Sequence, residues 1–452
     1  MLNKTALDWK AAADTIKFEG RAFINGRYTD ALSGQTRATF NPANGKALVD
    51  VALCGPEDAD LAVKGARAAF ESGEWSEMAP ADRKMVMVRW AELIEQHSDE
   101  LALLECLDVG KPISDTKNVD VPSAARTIRW SGEAIDKVYD QISPTPSNCL
   151  ALIKRLPLGV VTAIVPWNFP LSTTAWKLAP SLATGNSVIL KPASNTPLTA
   201  IYIAGLAREA GLPDGVLQVL PGPGGSMGKH LATHMDIDGM TFTGSTPVGK
   251  LLMEYSGQSN LKRTFLELGG KSPNIVFADA NLEKAAAMAA TAVFYNGGQT
   301  CTAGTRLIVE ESIRDKFLDM VVENTRQWMP GDPLDPATMM GPMIDKGQHN
   351  TVAEYVQIGC DEGAELCFGG KRTLQESGGY YHEPTILARV TNDMRVAQEE
   401  IFGPVMSVLS FKDAAEAVRI ANDSIFGVAG AVCSNNINTA HQVAEAVRVG
   451  TM

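Results

Sequence analysis

The chain reads as an α/β protein built on two open, mostly parallel sheets. Three observations predict this. From residue 158 onward, short β-branched runs alternate with amphipathic stretches, the rhythm that buries a parallel strand between helices. Glycine- or proline-bearing loops follow several of those runs, at the strand ends where open α/β sheets bind ligands. A second set of strand-like and helix-like segments starts near Glu267 and repeats the pattern.

Taken in order, apolar residues recurring at three and four positions predict helices over about 56–70, 80–96, 98–107 and 122–139. The stretch 141–155 changes character: Ser143-Pro144-Thr145-Pro146 and the alternation after Leu150 predict an extended excursion outside the packed layers. Strands follow at 160–165, 187–190, 216–220 and 239–242, separated by helices at about 173–184, 197–210 and 226–233. The rhythm predicts helices on both faces of this sheet. In the second region strands are expected at 274–277, 306–309 and 405–411, and helices at 282–295, 313–328 and 414–421. Residues 330–384 read as loop-rich, and no repeat or low-complexity linker breaks the chain.

Composition narrows the function classes. A formal charge of −12 gives no general attraction for nucleic acid or an anionic membrane. The seven cysteines (54, 106, 149, 301, 360, 367, 433) never form a CxxC, which argues against a zinc ribbon or a disulfide framework and fits a reducing compartment. Met1 to Lys10 lacks the apolar core of a secretory signal, so the protein is expected to be cytoplasmic. His230 and His234 are spaced i, i+4, but no acid stands at 231, so no HExxH site is present and no metal is expected.

Three residues carry candidate catalytic chemistry. Cys301 ends Asn296-Gly297-Gly298-Gln299-Thr300, where glycines let the backbone approach a substrate closely. Alone, this leaves a reactive thiol and a packed small residue both open. Glu267, in Leu266-Glu267-Leu268-Gly269-Gly270-Lys271, is a candidate general base whose apolar neighbours would raise its pKa; a solvated strand-end glutamate is the plain alternative. Asn168, set rigidly in Val165-Pro166-Trp167-Asn168-Phe169-Pro170, suits an amide donor to a developing oxyanion, or simply a turn. Lys191-Pro192-Ala193-Ser194, the glycines from Gly222 to Gly228, and Gly244-Ser245-Thr246-Pro247-Val248-Gly249 follow successive strands and suit a nucleotide's ribose and phosphates.

These segments, with Phe242-Thr243-Gly244-Ser245-Thr246 and Glu400-Ile401-Phe402-Gly403-Pro404, together resemble the NAD(P)-dependent aldehyde dehydrogenase superfamily. The resemblance implies an aldehyde dehydrogenase-like fold of a Rossmann-like cofactor domain (1–138 and 157–266) and a catalytic domain (267–452), with oligomerisation strands at 139–156. It implies that Cys301 is the nucleophile, Glu267 the base that activates water, and Asn168 the oxyanion donor. Lys191 and Glu400 would hold the cofactor riboses. Val165, Pro166, Trp167, Ser194, Gly224, Gly228, Phe242, Gly244, Ser245, Gly249, Leu268 and Phe402 would line the rest of the cofactor site. The substrate is a small aldehyde. Because the coenzyme-A-acylating branch typically lacks the glutamate, Glu267 points to the hydrolytic branch.

Leu107-Asp108-x-Gly110-Lys111-Pro112, the run Arg129 to Tyr139 and the run Lys271 to Asp279 are most similar to γ-glutamyl-γ-aminobutyraldehyde and related aminoaldehyde dehydrogenases of bacterial polyamine catabolism. Asp120 and Trp176 are the substrate-tunnel candidates. Two departures stand out. Many NAD-preferring relatives carry glutamate where this chain has Ser194, so NADP is expected to be accepted beside NAD. Relatives also continue beyond Met452 through a substrate loop and a final oligomerisation strand. On that comparison a shortened chain is expected, with the edge at 139–156 unpaired; a homodimer or homotetramer would follow if the C-terminus is complete. A catalytically silent relative acting as a binding or structural protein is the alternative function, and a thioester-forming hydrolase without redox chemistry is a third.

Overall fold

A computed structural model describes residues 4–452; the first three residues of the N-terminal stretch lie outside the described residues. The larger sheet has seven strands, in the spatial order Arg263–Glu267, Gly239–Thr243, Val160–Ile164, Ser187–Lys191, Leu217–Val219, Ala22–Ile24, Arg27–Thr29. The first five run parallel; the N-terminal hairpin Ala22–Ile24 and Arg27–Thr29 adds an antiparallel edge the sequence reading did not anticipate.

Side-chain alternation along the central strands explains why both faces are covered. Val188 and Leu190 point into one core with residues of helices Pro80–Gln96, Ser98–Val109, Val121–Ala134, Pro170–Ala183 and Leu198–Glu209. Ile189, between them, points into another with Ala59, Ala62, Val63 and Ala66 of helix Pro56–Glu71. These are the helices that periodicity predicted, with ends shifted by a few residues.

The strand order reverses between Val160–Ile164 and Gly239–Thr243, since the chain builds outward from the first and then crosses back to add the second beside it. A crevice opens at the carboxyl ends of strands at such a point. Val165-Pro166-Trp167 and Gly244-Ser245 leave the sheet there.

The second sheet holds Glu365–Phe368, Thr385–Ala388, Val405–Phe411, Arg306–Glu310, Pro273–Val276 and Ala431–Cys433, parallel except for its first edge strand. Glu267 is the last residue of the first sheet, paired in register with Thr243, and Pro273 opens the second. The reading of 330–384 as loop needs correction. It contains helix Lys346–Asp361, capped by Asp345, whose carboxylate accepts from the Gln348 amide at 2.8 Å. Gly347, His349, Asn350 and Thr351 are weak helix formers and mask the pattern. The helix forms because His349, Val352, Val356 and Gly359 make one buried stripe.

The excursion is a two-stranded hairpin, Gln141–Ser143 against Ala151–Ile153. Tyr139, Ile142, Leu150, Leu152 and Leu156 are all exposed on or beside it. Among the described residues no helix is long and apolar enough to cross a membrane.

Candidate active site

The Cys301 loop is shaped by three successive left-handed residues. Asn296, Gly297 and Gly298 have φ of 51°, 62° and 71° directly after helix Leu282–Phe294. Two are glycine because that region penalises a side chain. Gly298 is also pressed against the Gly403 carbonyl, which ties the loop to Glu400-Ile401-Phe402-Gly403-Pro404.

Buried amides then fix the loop to the Asn168 turn. Asn168 Nδ2 donates to the Gln299 carbonyl at 2.8 Å, and Asn296 Nδ2 donates to the Asn168 carbonyl at 3.1 Å. Gln299 Oε1 accepts from the Ile344 amide at 3.0 Å. The Gln299 carbonyl can only accept, so the Asn168 nitrogen must face it. One N–H of Asn168 is left uncommitted, and its Oδ1 has no partner.

Cys301 itself is partly exposed at the end of this frame. Burial, then the carboxylate charges of Glu400 and Glu267, push its thiol pKa above the ordinary value, with backbone hydrogen bonds opposing. The three groups thus converge electrostatically. Gly270 abuts the Cys301 carbonyl so closely that a Cβ there would collide with it.

Glu267 does not lie in the apolar enclosure its neighbours suggested. Arg263–Glu267 is the outermost strand, its residues alternate between exposed and half-buried, and Glu267 is exposed. A residue the sequence reading passed over, Lys177, is within reach of its charge. Lys177 is only 8% exposed on helix Pro170–Ala183; burial lowers its pKa and the Glu267 charge opposes that. The available signal was a lone lysine among the helix's apolar and small residues.

The cofactor candidates stand on the loops that follow strands of the larger sheet. Lys191 ends its strand buried, its amine pushed down to about 8 by desolvation, with one hydrogen bond to the Pro192 carbonyl at 3.1 Å. Two ammonium donors therefore remain uncommitted. Gly228 lies against the Lys191 stem, Gly224 is open, and Ser194 Oγ donates to the Gly222 carbonyl at 3.0 Å. Ser245 precedes helix Thr246–Gly257 without using its side chain as a cap, leaving hydroxyl and first-turn amides for an anion. A Cβ on Gly249 would lie 2.5 Å from the Leu268 side chain and one on Gly244 2.5 Å from the Phe242 ring, so neither position has room for a larger residue.

Glu400 Oε1 accepts from the Gly270 amide at 3.0 Å. Trp167 and Phe402 meet edge to face, centroids 5.2 Å apart at 88°. Phe402 has φ 56°, a conformation costly for a bulky residue and concentrated at functional sites. Val165 is buried and donates its amide to the Lys191 carbonyl at 3.2 Å; Pro166 and Trp167 are half-buried beyond it.

The substrate candidates fare differently. Asp120 is buried and paired with the equally buried Lys111 at 2.8 Å, and the Lys111 amine sits 3.6 Å from the Phe169 ring centroid. Its carboxylate is therefore already matched by a charge. Among the described residues Asp115 forms no ion pair; it is partly buried, its pKa raised to about 6 by desolvation. Tyr295 stacks on Phe169 at 6.3 Å, with its hydroxyl buried and unpartnered. Trp176 is 53% exposed.

The sequence model of the aldehyde dehydrogenase family matches residues 28–452. The chain belongs to the aldehyde dehydrogenase family. Its reaction is the oxidation of an aldehyde. It is 48% identical over 445 residues to the NADP/NAD-dependent aldehyde dehydrogenase PuuC of Escherichia coli, covering 98% of this chain and 89% of the relative. Among solved structures it superposes with a TM-score of 0.99 on Pseudomonas syringae indole-3-acetaldehyde dehydrogenase in complex with NAD+ and IAA, at 57% identity, covering 99% of this chain and 91% of that one. The γ-glutamyl-γ-aminobutyraldehyde dehydrogenase of Burkholderia cenocepacia matches with a TM-score of 0.98 at 51% identity, covering 99% and 90%.

Proposed function

We propose that this aldehyde dehydrogenase converts an aminoaldehyde, of the γ-glutamyl-γ-aminobutyraldehyde type, into its carboxylic acid through a thioester on Cys301, using NAD or NADP. The observation that carries the reading is the meeting of a partly exposed thiol, a free buried amide N–H on Asn168 and the Glu267 carboxylate around one loop.

The Cys301 thiolate adds to the aldehyde carbon, and the carbonyl electrons move onto oxygen. Asn168 Nδ2–H and the Cys301 backbone N–H receive that charge. As the carbonyl re-forms, the carbon loses its hydrogen with the bonding pair, leaving the thioester. The nicotinamide, when bound, supplies the acceptor for that hydride. Lys191 and Glu400 would hold its riboses, and Ser245 with the following helix its phosphates. Glu267 then takes a proton from water, the hydroxide attacks the thioester carbon, and the C–S bond breaks to release acid and thiol.

The γ-glutamyl-γ-aminobutyraldehyde dehydrogenase of Burkholderia cenocepacia, 51% identical to this chain, supports the aminoaldehyde class. In this chain Asp115, partly buried and outside any ion pair among the described residues, supports a cationic substrate end. A second reading has its own support: the Phe169–Tyr295 stack and the neutralised Asp120 suit an arylacetaldehyde such as indole-3-acetaldehyde. Cofactor reduction measured with γ-aminobutyraldehyde, γ-glutamyl-γ-aminobutyraldehyde and indole-3-acetaldehyde separates the two. A kcat/KM at least about tenfold higher for the amino-substituted aldehydes is expected. A preference for the aryl aldehyde overturns the substrate proposal, and activity unchanged by Cys301→Ala overturns the thioester.

The exposed hairpin at 141–153 supports a homo-oligomer, because an apolar two-stranded edge gains stability by pairing with another copy. Sedimentation of Leu152→Lys should report smaller particles than wild type; identical sedimentation would remove the hairpin from the interface.

A further inference from the structure

His230 and His234 find a third partner far away in sequence. Asp60 reaches from helix Pro56–Glu71, while the histidines lie on and directly after the turn of helix Lys229–Thr233. One donor atom from each residue falls within 4.8 Å of the others. Asp60 Oδ1 stands 2.6 Å from His230 Nε2 and 3.4 Å from His234 Nε2, and the rings meet at 73° with centroids 5.8 Å apart.

One ion-paired histidine would satisfy this carboxylate oxygen. Two nitrogens aimed at it describe a different object. Around a tetrahedral late transition metal with bonds of about 2.0–2.1 Å, neighbouring ligand atoms stand roughly 3.3 Å apart. The Asp60–His234 separation already has that value, and the Asp60–His230 contact must open by less than about 1 Å. Imidazole and carboxylate suit Zn2+ and Ni2+. All three side chains are at least partly exposed, which leaves remaining coordination positions to water.

We infer that Asp60, His230 and His234 bind one divalent late transition-metal ion that clamps residues 224–234 to helix Pro56–Glu71. The expectation of no metal site rested on a missing acid at 231; the acid comes instead from Asp60. Two local features oppose the ion. His234 Nδ1 accepts the Asp236 amide at 3.1 Å, and metal at Nε2 moves the ring proton to Nδ1, so that exposed bond passes to water. The Lys262 ammonium also opposes it by charge, although it is held to the Ala232 carbonyl at 2.7 Å. Asp60 and Asp236 offset that charge. The clamped segment is not remote from the cofactor candidates: Gly224–Gly228 runs straight into Lys229, and Gly228 touches the Lys191 stem.

The test is calorimetric titration of the metal-free full chain with Ni2+, with hydrogen exchange read over residues 224–234. One Ni2+ per chain is expected, weakened about tenfold or more by Asp60→Asn and about a hundredfold by His230→Ala/His234→Ala, with slower exchange in that segment only when metal is bound. His230→Gln/His234→Gln serves if the alanine pair misfolds by circular dichroism. Absence of saturable binding up to about 1 mM, or unchanged affinity in the double variant, overturns the site. Binding without slowed exchange overturns the clamp.

Discussion

Asn168 and Gln299 are joined by a 2.8 Å hydrogen bond from side-chain amide to backbone carbonyl, across 131 residues of sequence. That bond turns the amide so that its second N–H is free, while Gln299 holds the loop leading to Cys301. Geometry of this kind stabilises charge without reorganisation in the transition state.

Asn168→Ala should therefore lower kcat by about 10²–10³ while changing aldehyde KM little. Steady-state kinetics with a fixed saturating cofactor measures this. A KM-only effect would assign Asn168 to substrate binding instead.

Glu267→Gln should separate the two halves of the reaction. Rapid mixing is expected to show one equivalent of reduced cofactor formed per site, followed by steady turnover reduced about 10²-fold or more. Lys177→Met should leave that burst intact as well, since it removes a charge that Glu267 senses and not the nucleophile. Loss of the burst in either variant would contradict these roles.

Ser194 has its hydroxyl on the Gly222 carbonyl and presents no carboxylate to a phosphorylated ribose. Ser194→Glu should restore repulsion and cut kcat/KM for NADP by about a hundredfold relative to NAD, or roughly 2.7 kcal/mol. Equal losses for both cofactors would place the discrimination elsewhere.

Acid should weaken the fold through His349. Burial, with Arg372 nearby, depresses its pKa to about 4, against about 6.5 when unfolded, while its ring is 2.9 Å from the Tyr381 carbonyl. Between those values the unfolded chain takes up a proton that the folded chain refuses, so stability is lost as pH falls from 6.5 toward 4. Glu105 and Asp108, raised by burial to about 8 and about 7, act in the opposite sense over their own range. The comparison is thus between proteins: His349→Gln should lose less Tm than wild type from pH 7 to 4.5 in calorimetry. An equal loss would exclude His349 as the source.

How legible all this was in the sequence depended on the kind of residue. Helices Pro56–Glu71 and Pro80–Gln96 have a one-sided apolar pattern, and their limits could be read almost to the residue. Helix Lys346–Asp361 could not, because its buried stripe includes a histidine and a glycine. Around the site, glycine loops announced themselves through the backbone shapes they permit. Lys177, Asp115 and Asp60 did not, because what matters in each is a neighbour from another part of the chain. Likewise, nothing local to Asp120 tells that Lys111 neutralises it, or that Glu267 lies on an outer strand.

The contact between Gly270 and the Cys301 carbonyl has one last consequence. The turn that follows Glu267 and the loop that bears Cys301 are seated in each other, with no room for even a methyl group between them. On the roles proposed for Glu267 and Cys301, heat or denaturant should not silence deacylation while sparing acylation. Both activities should fade along a single curve, and an inactivated sample should contain no population that still forms the thioester but has lost the means to release it.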